Sequence, residues 1–315
     1  MIKTLKTLFK QDRERFVVPK TVQQAIPITA VYEDGVFLSG RRFSKTYRFD
    51  DINYAVASKE DKEAMFLEYS ELLNSLDSGA TTKITINNRR INKSDFEKTI
   101  LIPMQDDGLD IYRKEYNAML MDKISGGNGI VQEKYITVSV VKKDVEEARA
   151  YFARIGGSIA AHFSQLGSAC AELDATDRLR ILHDFYRVGE ETSFRFDLSE
   201  TMKKGHDFKD FICPDTLEYE RDCFRIGDKW GRVLFLREYA SYIKDSMVSE
   251  LCDLNRNMMF SIDIIPVPTD EAVREVENRL LGIETNITMC LSSRKCSERA
   301  SKSAAPIQHQ RLRRI

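Results

Sequence analysis

The sequence predicts an α+β fold in which ferredoxin-like β-α-β units form a mostly antiparallel sheet with helices packed on one face. Two observations support this class. The order strand–helix–strand occurs twice along the chain, and the helix of each repeat has apolar residues along one side. The repeats share no residue-level identity, so the repetition is architectural. A second, smaller α+β lobe and a disordered C-terminal tail complete the predicted organisation.

The first repeat follows a predicted β-hairpin, ITAVYEDGVFLSG, in which an Asp-Gly turn separates two β-rich runs. We assign its first strand to INYAVA. Ser58 and Asp61 form a capping-box pattern at the start of the helix KEAMFLEYSELLNSLDSG, and Gly79 is expected to end it. The alternating segment TTKITINN is the returning strand. The predicted apolar face of the helix consists of Met65, Tyr69, Leu72 and Leu76.

The second repeat consists of the strand YITVSVV, the helix DVEEARAYFARIGGSIAAHFSQLG and the strand ACAELDA. A partly acidic helical connector, ending in the loop SGGNG, joins the two repeats. The predicted buried face of the second helix consists of Ala148, Phe152, Ile155, Ile159, Phe163 and Leu166.

The rest of the chain predicts smaller elements. Asp174 caps a helix that ends before Gly189, and a looser section with short elements follows. LEYERDCFRI, GDKWG and RVLFLREY are expected to form a hairpin, SMVSELCDL a short helix and NMMFSIDIIPV a buried strand. Thr269 is expected to cap the last helix, with Asp270 and Glu271 placed favourably against its dipole.

We therefore divide the chain into a basic N-terminal segment (1–24), an α+β domain with both repeats (25–196), a second α+β lobe (197–288) and a basic tail (289–315). In the N-terminal segment, apolar residues alternate with lysines in MIKTLKTLFK. This pattern leaves two alternatives open, a short amphipathic turn at a membrane surface or an ordinary frayed terminus.

Composition places the chain among soluble globular proteins. Of its residues, 42% are hydrophobic and 31% charged, and its net charge of −1 gives no global reason to expect a nucleic-acid partner. The six cysteines include no CxxC pair, which favours a reducing cytosolic compartment. No apolar run approaches the length that spans a bilayer.

Known catalytic motifs are missing from the sequence. A phosphate-binding P-loop requires a Gly-Lys pair, and this dipeptide does not occur. There is no G-x-S-x-G elbow and no zinc-ligand spacing, and KWGRVLFL is a poor match to the aromatic RNA-binding pattern. His162 is expected to be a packed histidine. The His-Asp neighbours at His183 and His206 and the glycine loop at 125–129 are interpreted as structural rather than as a catalytic dyad or an anion cradle.

One surface feature remains as a candidate site. The last helix has an apolar stripe that consists of Val273, Val276, Leu280 and Ile283. We expect this stripe to be partly uncovered and to promote self-association or low solubility. No catalytic, cofactor-binding or metal-binding residue is assigned.

Three longer stretches resemble a known family: EAMFLEYSELLNSLDSGATTKITINNRR, LFLREYASYIKDSMVSELCDLNRNMM and IPVPTDEAVREVENRLLG. They are similar to the amino-terminal half of the TraE-type (VirB-four-like) ATPases of conjugative elements in Gram-positive bacteria. The likeness runs from about Met1 to about Thr288 and includes no catalytic signature. It implies that residues 25–196 are an assembly domain, and that the apolar stripe faces a motor domain.

The resemblance also implies a place in the cell. Proteins of this family belong to type IV secretion channels, which transfer DNA between cells. The expected location is the cytoplasm, at the inner face of the membrane, and the expected partners are other channel components or further copies of the chain. Sequence-specific nucleic-acid binding is not expected. ATP and Mg²⁺ belong to the family's motor half, so no cofactor is expected here, and we expect no ATP hydrolysis by this chain alone.

The tail differs in composition from the body. From Met289 to Ile315, seven basic residues and one acidic residue give a net charge of +6, against −7 for the rest. Few apolar residues and no periodicity predict disorder. We interpret the tail as an out-of-frame or rearranged end, joined near Thr288–Met289, of a conjugation ATPase truncated before its motor. The alternative is a self-contained adaptor or regulator whose basic tail binds proteins, nucleic acid or an anionic membrane.

Overall fold

The structure, a computed structural model, describes residues 19–54, 56–90, 100–126, 130–238, 246–254 and 256–292. The chain divides into two compact units. The first comprises Met1–Gly40, Ile91–Gly126 and Asp174–Met247, and the second comprises Arg41–Arg90, Gly127–Leu173 and Val248–Ile315. Each unit combines stretches that are distant in sequence. The predicted division into 25–196 and 197–288 is contiguous and stays a prediction.

The described residues form eight α-helices and ten β-strands. The helices are α1 (Val22–Ala25), α2 (Lys59–Asn74), α3 (Asp110–Gly126), α4 (Val145–Gln165), α5 (Ala175–Tyr186), α6 (Leu198–Lys204), α7 (Ser246–Cys252) and α8 (Thr269–Ser292). The strands are β1 (Ile28–Val31), β2 (Phe37–Ser39), β3 (Arg42–Phe49), β4 (Ala80–Arg90), β5 (Ile130–Val141), β6 (Cys170–Glu172), β7 (Leu217–Tyr219), β8 (Phe224–Ile226), β9 (Lys229–Gly231) and β10 (Met258–Ile264). This content confirms the α+β class.

The second unit has the strand connections of a ferredoxin-like fold. β5 pairs antiparallel with both β3 and β4, and β6 pairs antiparallel with β3. The order β6-β3-β5-β4 therefore places β3 parallel to β4, and β5 parallel to β6, each pair with one strand between them. Helices α2 and α4 make these two crossovers, as in a split β-α-β arrangement. The two predicted strand–helix–strand repeats are confirmed as this architecture, except for the position of the first strand of the first repeat.

Helix α4 is the main cover of this sheet. It packs against β3, β6 and α2. Asp144 caps its start by accepting a hydrogen bond from the backbone NH of Glu147 at 2.9 Å. The ring of Phe163 stacks on Phe49 of β3 at 4.8 Å. The six residues predicted to form its buried face are all buried, which confirms the helix and its orientation: Ala148, Phe152, Ile155, Ile159, Phe163 and Leu166.

The first strand of the first repeat was predicted at the wrong place in the sequence. INYAVA forms no strand in its described part, where Tyr54 and Val56 are exposed. The strand is β3, whose polar residues concealed it. Lys45 forms an ion pair with Glu172 of β6 at 2.6 Å, and the hydroxyl of Thr46 is 2.9 Å from that of Thr137 on β5. Both partners lie about a hundred residues away in sequence, so local pattern could not show that these polar positions are satisfied.

Helix α2 follows the prediction in its start but not in its full extent. Ser58 accepts a hydrogen bond from the backbone NH of Asp61 at 3.1 Å, which confirms the cap. The helix ends at Asn74 rather than at Gly79. Of its predicted apolar face, Leu72 and Leu76 are buried, Met65 is half-buried and Tyr69 is exposed.

The first unit has its own core. Its central buried residues are Ile26, Phe37, Leu179 and Ile212. The predicted hairpin is present as β1 and β2, and Gly35 in its turn has φ +78°, a conformation that favours glycine. Arg178 of α5 donates to the Gly35 carbonyl at 2.7 Å and lies over the Phe37 ring at 3.9 Å. These contacts tie α5 to the hairpin.

Three predictions for the later part of the chain need correction. β7, β8 and β9 form a three-stranded antiparallel sheet, but RVLFLREY, expected to extend it, has no strand in its described residues. β10 is a strand as predicted, yet its residues alternate between half-buried and exposed rather than being buried. The backbone of α8 continues to Ser292, so the change in composition near Thr288–Met289 does not coincide with a helix end. The predicted disordered region from 293 onward and the basic segment 1–18 lie outside the described residues.

The close approach of α4 to the sheet generates a test of the packing. A Cβ atom at Gly156 would lie 3.0 Å from the Tyr47 hydroxyl oxygen and 2.7 Å from a Glu172 carboxylate oxygen. Glu172 can move because its side chain is half-exposed, but Tyr47 is 1% exposed and cannot. Gly157, the next residue of α4, has nothing within 4 Å of such a Cβ.

We therefore expect Gly156→Ala to unfold at lower urea concentration than Gly157→Ala, with a difference of about 1–3 kcal/mol in the free energy of unfolding. Gly157→Ala should be neutral or more stable than the unsubstituted chain by up to about 1 kcal/mol, because alanine favours helix. Urea denaturation followed by circular dichroism measures both. Equal stabilities for the two variants would show that the contact at Gly156 is not tight.

Candidate functional site

Helix α8 carries the apolar stripe predicted from the sequence. Pro268 precedes the helix, and its carbonyl accepts hydrogen bonds from the backbone NH groups of Glu271 and Ala272, both at 3.0 Å. Asp270 and Glu271 lie in the first turn, where negative charge is stabilised by the helix dipole. The 24 residues of α8 span about 36 Å.

The four predicted stripe residues lie at the surface. Val273 is 49% exposed, Val276 65% and Leu280 38%, and Ile283 is half-buried. Leu281, beside the stripe, is also exposed. No residue of α8 from 269 to 285 is buried. Three of the four stripe residues are thus exposed, in keeping with the expected partial exposure, whereas the partner that the stripe contacts stays a prediction.

The opposite side of α8 is polar and makes contacts within the helix. Arg279 pairs with the carboxylate of Glu275, and Arg274 donates to the backbone carbonyl of Asp270 at 3.2 Å. An open depression on this side is lined by Glu271, Arg274, Glu275, Asn278 and Arg279. Charges of both signs alternate there, and such mixed lining is typical of a solvated helix face rather than of a pocket for one ligand.

The position of α8 depends on β10, the strand that immediately precedes it. β10 pairs with β4 through all seven of its residues, and an ion pair of 3.4 Å joins Lys83 to Asp263 across the two strands. β10 is the last strand in the sheet order of the described residues. Ile265 and Val267, which connect β10 to α8, are about half exposed. Exposed apolar side chains therefore continue from the sheet edge onto the helix.

A network of amide side chains around the buried Asn88 holds α7 and the start of β10. Asn88 of β4, which is buried, donates to the backbone carbonyl of Cys252 at the end of α7. Gln132 of β5 donates to the Asn88 side-chain oxygen at 3.1 Å. Nearby, the side chain of Asn257 accepts from the backbone NH of Arg90 at 2.7 Å. A buried amide with its hydrogen bonds satisfied, such as Asn88, positions a backbone segment specifically. The sequence did not predict these contacts because isolated Asn and Gln residues form no pattern.

A second exposed apolar segment lies in the first unit. Val233, Leu234 and Phe235 are between 76% and 84% exposed and belong to no strand or helix. From the sequence, these residues were expected to form a strand of a hairpin. The segment just after β9 is instead an extended apolar run at the surface, a feature typical of contact with another chain.

Three of the four histidines lie in the described residues, and each has an acidic side chain nearby. His162 of α4 is largely buried, and its Nδ1 lies 2.6 Å from a carboxylate oxygen of Glu68 on α2, so this pair joins two helices. His183 is buried, 3.3 Å from Asp184 and packed on the ring of Phe194. His206 is exposed and 3.7 Å from Asp210. His309 and residues 127–129 of the glycine loop lie outside the described residues, while Ser125 and Gly126 belong to α3.

The described cysteines are thiols with raised pKa values. Burial raises the pKa of Cys170 to about 11, with a further contribution from the charge of Glu172. Removal from water also raises the pKa of the three other thiols, namely Cys213, Cys223 and Cys252. A nucleophilic cysteine needs a depressed pKa, so these thiols are poor nucleophiles at neutral pH.

The acidic residues in the loop before α3 and at its start form ion pairs with an arginine of that helix. Arg113 pairs with both Asp107 and Asp110, and Asp110 also accepts backbone hydrogen bonds from Gln105 and Asp106 at 3.1 and 3.0 Å. The hydrogen bond from Arg113 lowers the pKa of Asp107 to about 2. Within the described residues, no group of three or more His, Cys, Asp or Glu side chains is placed to hold a metal ion.

None of the helices described here combines the length and apolarity that crossing a membrane requires. In comparisons with known proteins, no protein-family model and no curated protein matches this chain.

The raised pKa of Cys170 predicts how this thiol reacts with alkylating reagents. Only the thiolate reacts, and its fraction should grow roughly tenfold per pH unit between pH 7 and 10. We expect the rate of iodoacetamide labelling at Cys170, measured by mass spectrometry, to rise over this range and to level off only near pH 11. The same peptide in the urea-unfolded chain is the control and should level off earlier. A plateau below pH 9 in the folded protein would contradict the buried environment.

Proposed function

We propose that this chain acts as an assembly module of a conjugative DNA-transfer machine, corresponding to the part of a TraE-type (VirB-four-like) ATPase that precedes the motor. Its role is to contact other proteins of the type IV secretion channel, at the cytoplasmic face of the membrane. The observation that carries the proposal is the uncovered apolar stripe of α8 at the end of a ferredoxin-like unit. An exposed apolar surface of this kind is typical of protein–protein contact.

Two further observations support an assembly role. The segments that resemble the family include Leu234 and Phe235 of the exposed run after β9, the connection from β10 to α8, and α8 as far as Gly282. In these stretches, apolar side chains reach the surface at Leu234, Phe235, Ile265 and Val267 and at Val273, Val276 and Leu280 of the stripe. Part of the exposed apolar surface therefore lies within the stretches that resemble the family.

The proposal predicts that the purified chain does not hydrolyse ATP above background, because the sequence has no Gly-Lys pair to hold the terminal phosphates. A phosphate-release assay with ATP and Mg²⁺ measures this. Saturable turnover that persists through further purification would contradict the proposal.

A second test measures the assembly role directly. We expect expression of the chain in a donor cell that carries a TraE-type conjugative element to lower the transfer frequency, because it occupies the position of the complete ATPase without supplying its motor. Val276→Asp should relieve this inhibition, since it places a charge in the stripe. Asn278→Asp, which adds the same charge on the polar side of α8, is the matched control and should inhibit like the unsubstituted chain. Unchanged transfer with a well-expressed chain would contradict the assembly role.

The charge of the tail favours one alternative, a stand-alone adaptor that binds an anionic partner through residues 289–315. Seven basic residues in this stretch would give binding that weakens steeply with salt. Deletion of 293–315 distinguishes the two functions. Loss of salt-dependent binding to DNA or to anionic vesicles would favour the adaptor, and unchanged binding would favour the assembly module.

A further inference from the structure

The apolar stripe of α8 has the spacing of a coiled-coil seam. Its four residues are separated by three, four and three positions, as at the a and d positions of a heptad. With Val273 at a, Val276 falls at d, Leu280 at a and Ile283 at d. In the sequence, Ile287 continues the same spacing at the next a position. A strict seam of this kind is narrower than the face of a helix that packs on a sheet, and it suits pairing with a second helix.

The residues beside the seam carry complementary charges. Arg279 occupies a g position and Glu284 an e position, and both are exposed. In a parallel pair of helices, a g residue faces the e residue of the following heptad on the other helix. Arg279 of each copy would then face Glu284 of the other. An antiparallel pair would instead bring e positions together, with Glu277 and Glu284 as opposed acids.

We propose that α8 pairs in parallel with α8 of a second copy of this chain, in a two-stranded coiled coil. The inference rests on the proposed assembly function and names the partner of the stripe. Pairing removes Val273, Val276 and Leu280 from water in both copies, and it leaves the polar b, c and f positions of α8 in solvent. Because the seam is short, it buries little apolar surface and the association is weak. The dimer is therefore expected to dissociate when the protein is diluted.

Sedimentation of the full chain over a range of concentrations tests the pairing. We expect a monomer–dimer equilibrium whose Kd rises roughly tenfold or more in Val276→Asp, because each copy then places a charge in the seam. Asn278→Asp, at the outward f position, should leave Kd unchanged. Val276 is 65% exposed, so the variant should retain the circular dichroism spectrum of the unsubstituted chain. A monomer at every soluble concentration, or equal effects of the two variants, would overturn the proposal.

Charge reversal tests the orientation. Glu284→Arg should raise Kd by placing two arginines opposite each other, and Arg279→Glu should do so by placing two acids opposite each other. The double variant Arg279→Glu/Glu284→Arg restores opposite charges in a parallel pair and should return Kd toward the original value. Helix content is measured for each variant, because Arg279 also pairs with Glu275 within α8. A double variant as weak as the single variants would overturn the parallel arrangement.

These outcomes separate the pairing from the proposed function. Self-association is measured on the purified chain, without any transfer system. A dimer that does not affect conjugative transfer would contradict the assembly role and leave the pairing intact. A monomeric chain that still lowers transfer would contradict the pairing and leave the assembly role intact.

Discussion

The second unit depends on the contact between α4 and the sheet. The helix approaches β3 so closely at Gly156 that a Cβ atom there would lie 3.0 Å from the Tyr47 hydroxyl oxygen. The Tyr47 hydroxyl donates to the carbonyl of Phe152 at 3.4 Å, so the contact joins the middle of the strand to the backbone of the helix. β6 pairs directly with β3 next to this contact, and Glu172 of β6 forms an ion pair with Lys45 of β3. The packing of α4 on β3 and the ion pair between Lys45 and Glu172 thus stabilise the same part of the sheet.

This frame determines how α8 is presented. Cross-strand pairing with β4 holds β10 along its length, and the Asn88–Gln132 network holds the end of α7 that leads into it. Because β10 is held in the sheet, the helix that follows it starts from a defined position. Part of the conformational entropy of the binding surface is therefore already lost when the chain folds, and less is lost when a partner binds. An apolar stripe presented in this way is better suited to specific contact than the same residues on an unattached peptide.

The charged and nucleophilic groups of the described residues are mostly occupied by structural contacts. Glu68 and His162 join α2 to α4, and Arg113 holds the acids of the loop before α3. Burial keeps the thiols protonated, Cys170 among them. Apolar side chains around β9, β10 and α8 are among those that these contacts leave uncovered, as are Ile111 and Tyr112 of α3. This contrast supports the proposed assembly function.

The sequence alone determined the elements whose periodicity is strong and local. The six buried positions of α4, the cap at Ser58, the Asp-Gly hairpin and the apolar stripe of α8 could be predicted because each depends on residues a few positions apart. Tertiary structure alone decided β3, since its Lys45 and Thr46 are satisfied by partners on β6 and β5. It also decided that the run at Val233–Phe235 is exposed rather than paired, and that β10 is only half covered. The spacing of apolar residues indicates which side of a helix or strand is apolar. Whether another surface covers that side depends on contacts between distant parts of the chain.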